Sequence, residues 1–475
     1  MVAGIILLLV LPLIMGGVVY FLLRWTTVAA LLSIATTVLL GLAVTTLPLD
    51  RPVRLWGGPP IALGETVTIF GRELVLEEAD RMAMAFMFFT AAGIFFLAWR
   101  AAPRSPLFPM GLGLLSLFTG ALLIRPLIYA ALLLEIAAAL AVFALQEEGA
   151  PPTRGGLRYL TFTTLALPGL LVIHWLLARY ALTPDETKWL GAAATLLAFS
   201  FALLLGAVPF HTWVTALARD SAPVAGVFVL TVGNAAVWFL LLDFLETAPW
   251  LSGHSHFGPL VLSVGLVTVA VGGALASAQR RFGSLLGYAT LADNGAALVA
   301  LGTHTHLGIA LIFLLLLVRP FGLGLMAIGL SGLRARSGGG DRFENLRGQG
   351  WRSPWSTAAL LFGGLSVAGM PVSAGFIGRW ALCRSLLPSS PAAALFLLLA
   401  GVGVLSSLWR GMAALVARPR SPENRSVVAN IPPESHLTAA VIAAAIVAGV
   451  VVGLFPQVLA PVTLRMAAGY TFFAP

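Results

Sequence analysis

The sequence predicts an all-α polytopic membrane protein with about 14 transmembrane helices. Three observations lead there. The 475 residues are 59% hydrophobic and only 10% charged, with mean hydropathy +0.96. Apolar runs of about 20 residues recur along the chain, the length of helix that crosses a hydrocarbon core of about 30 Å. Basic residues alternate between successive connections: sixteen follow odd-numbered spans and five follow even-numbered ones. Short loops rich in Lys and Arg stay cytoplasmic, so this bias places both termini on the outer face.

The expected spans lie near 1–23, 26–47, 80–99, 107–123, 125–145, 158–181, 188–209, 222–245, 258–278, 284–302, 305–330, 355–386, 391–416 and 436–464. The first lacks a basic leader and reads as a retained helix rather than a cleaved signal. Residues 51–78 form the longest early connection, and their alternating stretch ETVTIFGRELVLEE predicts a short β-hairpin outside the membrane. Pro/Gly-rich or charged stretches such as 146–156 and 334–353 separate later spans. Two segments read as interrupted helices: LLLGAVPFHTW at 203–213, around Pro209, and GGLSVAGMPVSAGFIGRW at 363–380, around Pro371. Proline removes a backbone donor, and freed carbonyls at membrane depth survive only inside protein or beside water. Two such breaks five spans apart suggest two structural repeats flanking a path; a packing kink is the alternative. The expected division is 1–106 (three helices and the 51–78 loop), 107–257 and 258–420 (one repeat each), and 421–475 (the last helix).

Ionisable groups within or at the edge of apolar runs are costly, so each is a functional candidate by default. They are Glu135, His211, Asp243, Asp293, Arg319 and Arg379. The net charge of +9 comes from arginines scattered through short loops, which reads as topology rather than nucleic-acid binding. Cys383 is the single cysteine, which excludes an intrachain disulfide, a Cys-based zinc site and a self-contained iron–sulfur cluster.

Four motifs carry a family resemblance. PFHTW at 209–213 followed by SAPV at 221–224 resembles the PFHxW…AP signature of the antiporter-like membrane subunits of NADH:quinone oxidoreductase, respiratory complex I. LGYATLADNG at 286–295, LSVAGMPVSAGFIGRW at 365–380 and the Glu135-bearing stretch at 128–145 resemble further family segments, in order, over roughly residues 80–420. The same fold builds multi-subunit Mrp-type sodium/proton antiporters. The resemblance implies fourteen core helices, two inverted five-helix repeats and a polar axis at the membrane midplane that conducts protons. It also implies no flavin, quinone or metal cofactor in this chain, partner subunits that supply the redox energy, and a bacterial or archaeal plasma membrane. The chain ends soon after its last span, an expectation against the largest antiporter-like subunit type.

The family pairs a glutamate on the fifth helix with a lysine on the seventh and continues with lysines beyond. Here Glu135 fits the glutamate, but Leu204, Asn234, Gly283 and Gly322 stand at lysine positions, and Arg379 replaces another. Lys188 is the only lysine and lies in a loop. The expected proton path is therefore Glu135, His211, Asp293, Arg319 and Arg379, with Asn234, Asp243 and His174 as weaker candidates. Each has a bland alternative. Glu135 reads also as a protonated glutamate bonded to a neighbouring helix, and His211 as a cap for carbonyls freed by Pro209. His174 reads first as a structural hydrogen bonder, Asp293 as a structural ion pair with Arg319, and Asp243 and Glu246 as solvated groups. Arg125 reads as a helix-boundary residue that sets topology. Arginine is effectively always protonated, so Arg319 and Arg379 organise charge and water rather than relay protons. Three functions fit this pattern: a proton-conducting subunit of a complex I-type assembly, a subunit of a multi-subunit Na+/H+ antiporter, or a degenerate structural subunit that conducts little.

Overall fold

The computed structural model describes residues 2–54, 60–69, 71–102, 104–146, 153–183, 186, 188–252, 256–338, 340–418 and 434–472. The separator at 146–156 thus lies mostly outside the described residues. The helices are α1 (Gly4–Phe21), α2 (Thr26–Thr46), α3 (Glu78–Ala101), α4 (Leu107–Leu123), α5 (Ile128–Ala144), α6 (Arg154–Leu182), α7 (Lys188–Leu205), α8 (Thr212–Asp220), α9 (Pro223–Phe228) and α10 (Asn234–Thr247). Next come α11 (Pro249–Ser252), α12 (Phe257–Ser277), α13 (Phe282–Gly302), α14 (His306–Arg336), α15 (Pro354–Ala368), α16 (Ala374–Leu386), α17 (Pro391–Val416), α18 (His436–Leu454) and α19 (Ala460–Ala468). Among the described residues, eleven spans are long and apolar enough to cross a membrane, α9 and α10 counting as one, and the shorter apolar α4, α5 and α15 make fourteen. The chain is a multi-pass membrane protein, as the sequence predicts.

Helix starts follow local chemistry. Thr153, Thr305 and Ser435 each accept the N–H three residues on, and Pro223, Pro354 and Pro391 occupy first-turn positions where the missing N–H costs nothing. Small residues let backbones meet, as lipid-facing bundles require. A Cβ on Gly272 of α12 would come within 2.7 Å of the Ala292 backbone on α13.

The expected hairpin is present as β1 (Val67–Ile69) against β2 (Arg72–Leu74). A third strand, β3 (Ile124–Arg125), pairs with β2 where the sequence reading begins the fifth helix. The last span also differs: α18 ends at Leu454, and α19 is a separate short helix packed on α14 and α3.

Contacts between connections sort into two sets. At one end Arg100 donates to Ser435, Arg336 pairs with Glu434 and Arg334 with Asp341, all from connections after odd-numbered spans. At the other end Arg125 pairs with Asp80, Arg81 donates to the Val44 and Thr45 carbonyls, and Thr471 docks on Glu246. This separation agrees with the alternation read from the basic residues.

Both expected breaks are real and built alike. After α7, Gly206 takes φ +66° and Ala207 N–H donates to Ala202. After α15, Gly369 takes φ +78° and Met370 N–H donates to Leu365. Each glycine ends its helix in the left-handed conformation, and Pro209 or Pro371 comes within three residues and prevents continuation. Gly369 is constrained twice, because a Cβ there would meet Cδ of Arg379 at 2.5 Å. Gly369→Ala is therefore expected to destabilise by about 1–2 kcal/mol or more, whereas Gly93→Ala on α3, which meets nothing within 4 Å, is expected to be neutral or to stabilise by up to about 1 kcal/mol. Thermal unfolding of the two variants in detergent distinguishes them.

Candidate functional site: a buried charged cluster between the helix breaks

Four of the residues singled out by sequence meet in the bundle interior. Arg319 sits inside α14, a 31-residue helix, and is 4% exposed. Its Nε donates to Asp293 Oδ2 of α13 at 2.6 Å, and its Nη1 donates to Asn234 Oδ1 of α10 at 2.5 Å. Arg379 of α16, 8% exposed, places Nη2 3.9 Å from Asp293 Oδ1. That separation is an ion-pair distance beyond hydrogen-bond range. One carboxylate thus lies between two guanidiniums, and the cluster keeps net positive charge.

Local structure explains how these side chains are aimed. Between α9 and α10 the helix widens into a π turn, Val229–Gly233, immediately before Asn234. Such turns shift the register of the next helical segment and concentrate at functional sites. The neighbour of Asp293 matters as much: Asn294 Nδ2 donates at 2.8 Å to the carbonyl of Leu205, the last residue of α7. Trp213 Nε1 takes the Leu203 carbonyl, and Val208 N–H finds Thr268 Oγ1. In the second break Gly375 N–H donates to Ser366 Oγ. Residues 293 and 294 of one helix therefore touch elements from both breaks, Arg379 on one side and the end of α7 on the other.

The cluster is closely packed. The cavity bounded by Asp293, Arg319, Gly322, Ser366 and Arg379 has a volume of about 10 Å³, room for about one water. Gly322, at a lysine position of the resemblance, has no space for a side chain: a Cβ would meet Val367 Cγ2 at 2.7 Å. Arg319, one turn earlier on the same helix, supplies the charge. Gly283 is closed similarly, with the Arg334–Asp341 pair 2.8 Å from where its Cβ would be.

The other candidates lie apart. Glu135 is half-buried between α5 and α6; Thr164 Oγ1 donates to its Oε1 at 2.6 Å, and no ion pair reaches it among the described residues. His211 lies half-buried in the first break, its ring 6.4 Å from that of Tyr288. His174 is exposed and lines a separate cavity with Arg125 and Trp250.

Asp243 corrects the sequence reading. It is not solvated but 7% exposed, and Tyr470 donates its hydroxyl to Oδ1 at 3.1 Å. Burial and the Asp243 carboxyl together hold the Tyr470 phenol well above its usual range, so it remains a donor. Glu246 is likewise occupied, accepting from Thr471 and Phe472 N–H. Arg125 is not a simple boundary residue but the partner of Asp80, itself 1% exposed. Sequence reading passed over Asp80 and Tyr470. The only signal was the Glu-Glu-Ala-Asp run at 77–80, which resembles an ordinary helix start.

Removing one member of the central pair strands a buried charge. Arg319→Gln or Asp293→Asn is expected to cost about 3–5 kcal/mol, and the double variant less than the sum. Unfolding of the single and double variants in a double-mutant cycle measures the coupling.

Known proteins share this architecture. The transmembrane family described as NADH:quinone oxidoreductase/Mrp antiporter matches residues 159–405. NADH-quinone oxidoreductase subunit N of Chromohalobacter salexigens is 31% identical over 205 residues, 42% of each chain. In two further subunits N the matched stretch covers 38% and 42% of the relative, so the chain spans about two fifths of the length of these curated relatives. A chain of the Mrp complex from Dietzia sp. DQ12-45-1b superposes with TM-score 0.80 at 17% identity, covering 99% of this chain and 97% of that one. A chain of respiratory complex I from Thermus thermophilus gives 0.76 at 19%, covering 99% and 100%. At those identities the structures speak for the fold alone, and the family match, over more than half of the sequence, carries the assignment: the chain belongs to the NADH:quinone oxidoreductase/Mrp antiporter transmembrane family.

Proposed function

We propose that the chain is a proton-translocating, antiporter-like membrane subunit of a complex I-type assembly, working beside other membrane subunits that supply redox energy. The observation that carries this reading is the Asp293–Arg319–Asn234–Arg379 cluster, held between two broken helices. Broken helices with ionisable groups between them mark translocation paths in membrane transporters. Asp293 is the protonatable member, since both arginines keep their charge. The like-built breaks at Gly206 and Gly369 support two repeats, 107–257 and 258–420, related by inversion. With the arginine-rich connections on the cytoplasmic side, protons move from that side past Asp293 to the other.

One specific observation favours a second reading. The cluster holds only about 10 Å³ of free volume, and Glu135 lacks a cationic partner among the described residues. A scaffold subunit that conducts little would look like this. Reconstituting the assembled complex in vesicles separates the readings. Asp293→Asn is expected to reduce redox-driven proton uptake to the level of leak while assembly persists, and Glu135→Gln to have a smaller effect. Uptake unchanged in both variants would establish the scaffold. Loss confined to sodium-dependent exchange would instead assign a Na+/H+ antiporter.

A further inference from the structure

The end of the bundle where residues 470–472 dock holds a second set of buried charges. Asp80 lies in the first turn of α3, Arg125 in β3, Asp243 near the end of α10, and Tyr470 just beyond α19. The two carboxyl groups are 1% and 7% exposed, and they are served unequally. Asp80 Oδ2 accepts from Arg125 Nη2 at 3.2 Å and from the Glu77 backbone N–H at 3.3 Å. Among the described residues, Asp243 Oδ1 accepts only the neutral Tyr470 hydroxyl, and its Oδ2 is buried with no partner.

Both buried carboxyl groups lie in the field of the Arg125 guanidinium, but its bond goes to Asp80. The remaining charged neighbours do not redress the balance: Glu77 caps the start of α3, and Glu246 is taken by Thr471 and Phe472, and both are acidic. A buried carboxylate without compensating donors is costly, and a like charge nearby makes a second ionisation harder. Asp80 has the charged donor; Asp243 has not.

We propose that Asp80, Arg125 and Asp243 form a one-proton store, with the proton carried by Asp243. Its use as a station on a proton route rests on the function proposed above; its existence does not. The placement suits that use. Asp243 lies nine residues beyond Asn234 on α10, about 13 Å along the axis from the central cluster. Arg125, which touches Asp80, also lines a cavity of about 220 Å³ with His174, Thr247 and Trp250, room for several waters. A proton leaving Asp243 turns it into a carboxylate in the field of the same guanidinium.

Infrared difference spectroscopy of the full chain in lipid, titrated with pH, tests the store. At neutral pH the wild type should show a protonated-carboxyl C=O band that Asp243→Asn removes and Asp243→Glu retains at a shifted frequency. Asp80→Asn should also remove it, because Arg125 then serves Asp243 alone. Arg125→Gln should add a second band from Asp80, and Tyr470→Phe should shift the Asp243 band. Absence of an Asp243-dependent band, or a band unmoved by both Asp80→Asn and Arg125→Gln, would overturn the proposal. An intact store in a complex whose proton uptake ignores Asp293→Asn would instead remove the transport reading and leave the store standing.

Discussion

The contact between Arg319 and Asp293 governs the interior of this protein. Arg319 is placed in the middle of a long apolar helix, where an uncompensated guanidinium is costly by any measure. A buried pair recovers that cost only with close geometry and further hydrogen bonds. Both are present, in the 2.6 Å contact and the Asn234 amide. The consequences reach beyond the pair. Holding Asp293 fixes the register of α13, and with it Asn294, which satisfies the carbonyl left open where α7 stops. Holding Asp293 also gives Arg379 a counter-charge, and the Arg379 stem packs on Gly369, where α15 stops. The two interruptions are organised from one turn of one helix.

The three contacts around the cluster are unequal, and the inequality has mechanical meaning. Arg319 is a direct hydrogen-bond partner of Asp293, while Arg379 stands at 3.9 Å. At separations near 4 Å in low dielectric the attraction is still substantial, but it lacks the directional lock of a hydrogen bond. The second broken helix is thus tied to the cluster by charge rather than by geometry. Of the ties that hold the cluster, the one to α16 is the weaker.

Much of this was visible in the sequence. Charges inside apolar runs single out Asp293, Arg319 and Arg379, because hydrocarbon tolerates them only in pairs. Pro209 and Pro371 announce both breaks, because proline cannot continue a helix; the left-handed stops at Gly206 and Gly369 emerge only in the structure. The misses have definite causes. The π turn before Asn234 depends on packing and leaves no residue signature. Asp243, Asp80 and Arg125 lie within a few residues of span ends. There, whether a charge is solvated depends on what folds over it, here a hairpin strand and a C-terminal residue more than 220 positions away in sequence. Glu135 was legible as a buried charge but not by partner, since periodicity names a face and not the helix opposite it.

Two of the four uncharged residues at the expected lysine positions are closed to any side chain. Gly283 and Gly322 are not lysine positions emptied of charge; they are closed, one by the Arg334–Asp341 pair and the other by Val367. With Gly322 closed, the cation stands at 319, one turn away on α14, in direct contact with Asp293. A lysine there would bring one point charge with three rotatable donors, whereas arginine brings a planar fork that reaches Asp293 and Asn234 at once. The arrangement exchanges a line of separately titrating amines for one rigid, permanently positive node. Any proton crossing such a node must use the carboxylate between the guanidiniums, because no other protonatable group lies among the named members of the cluster.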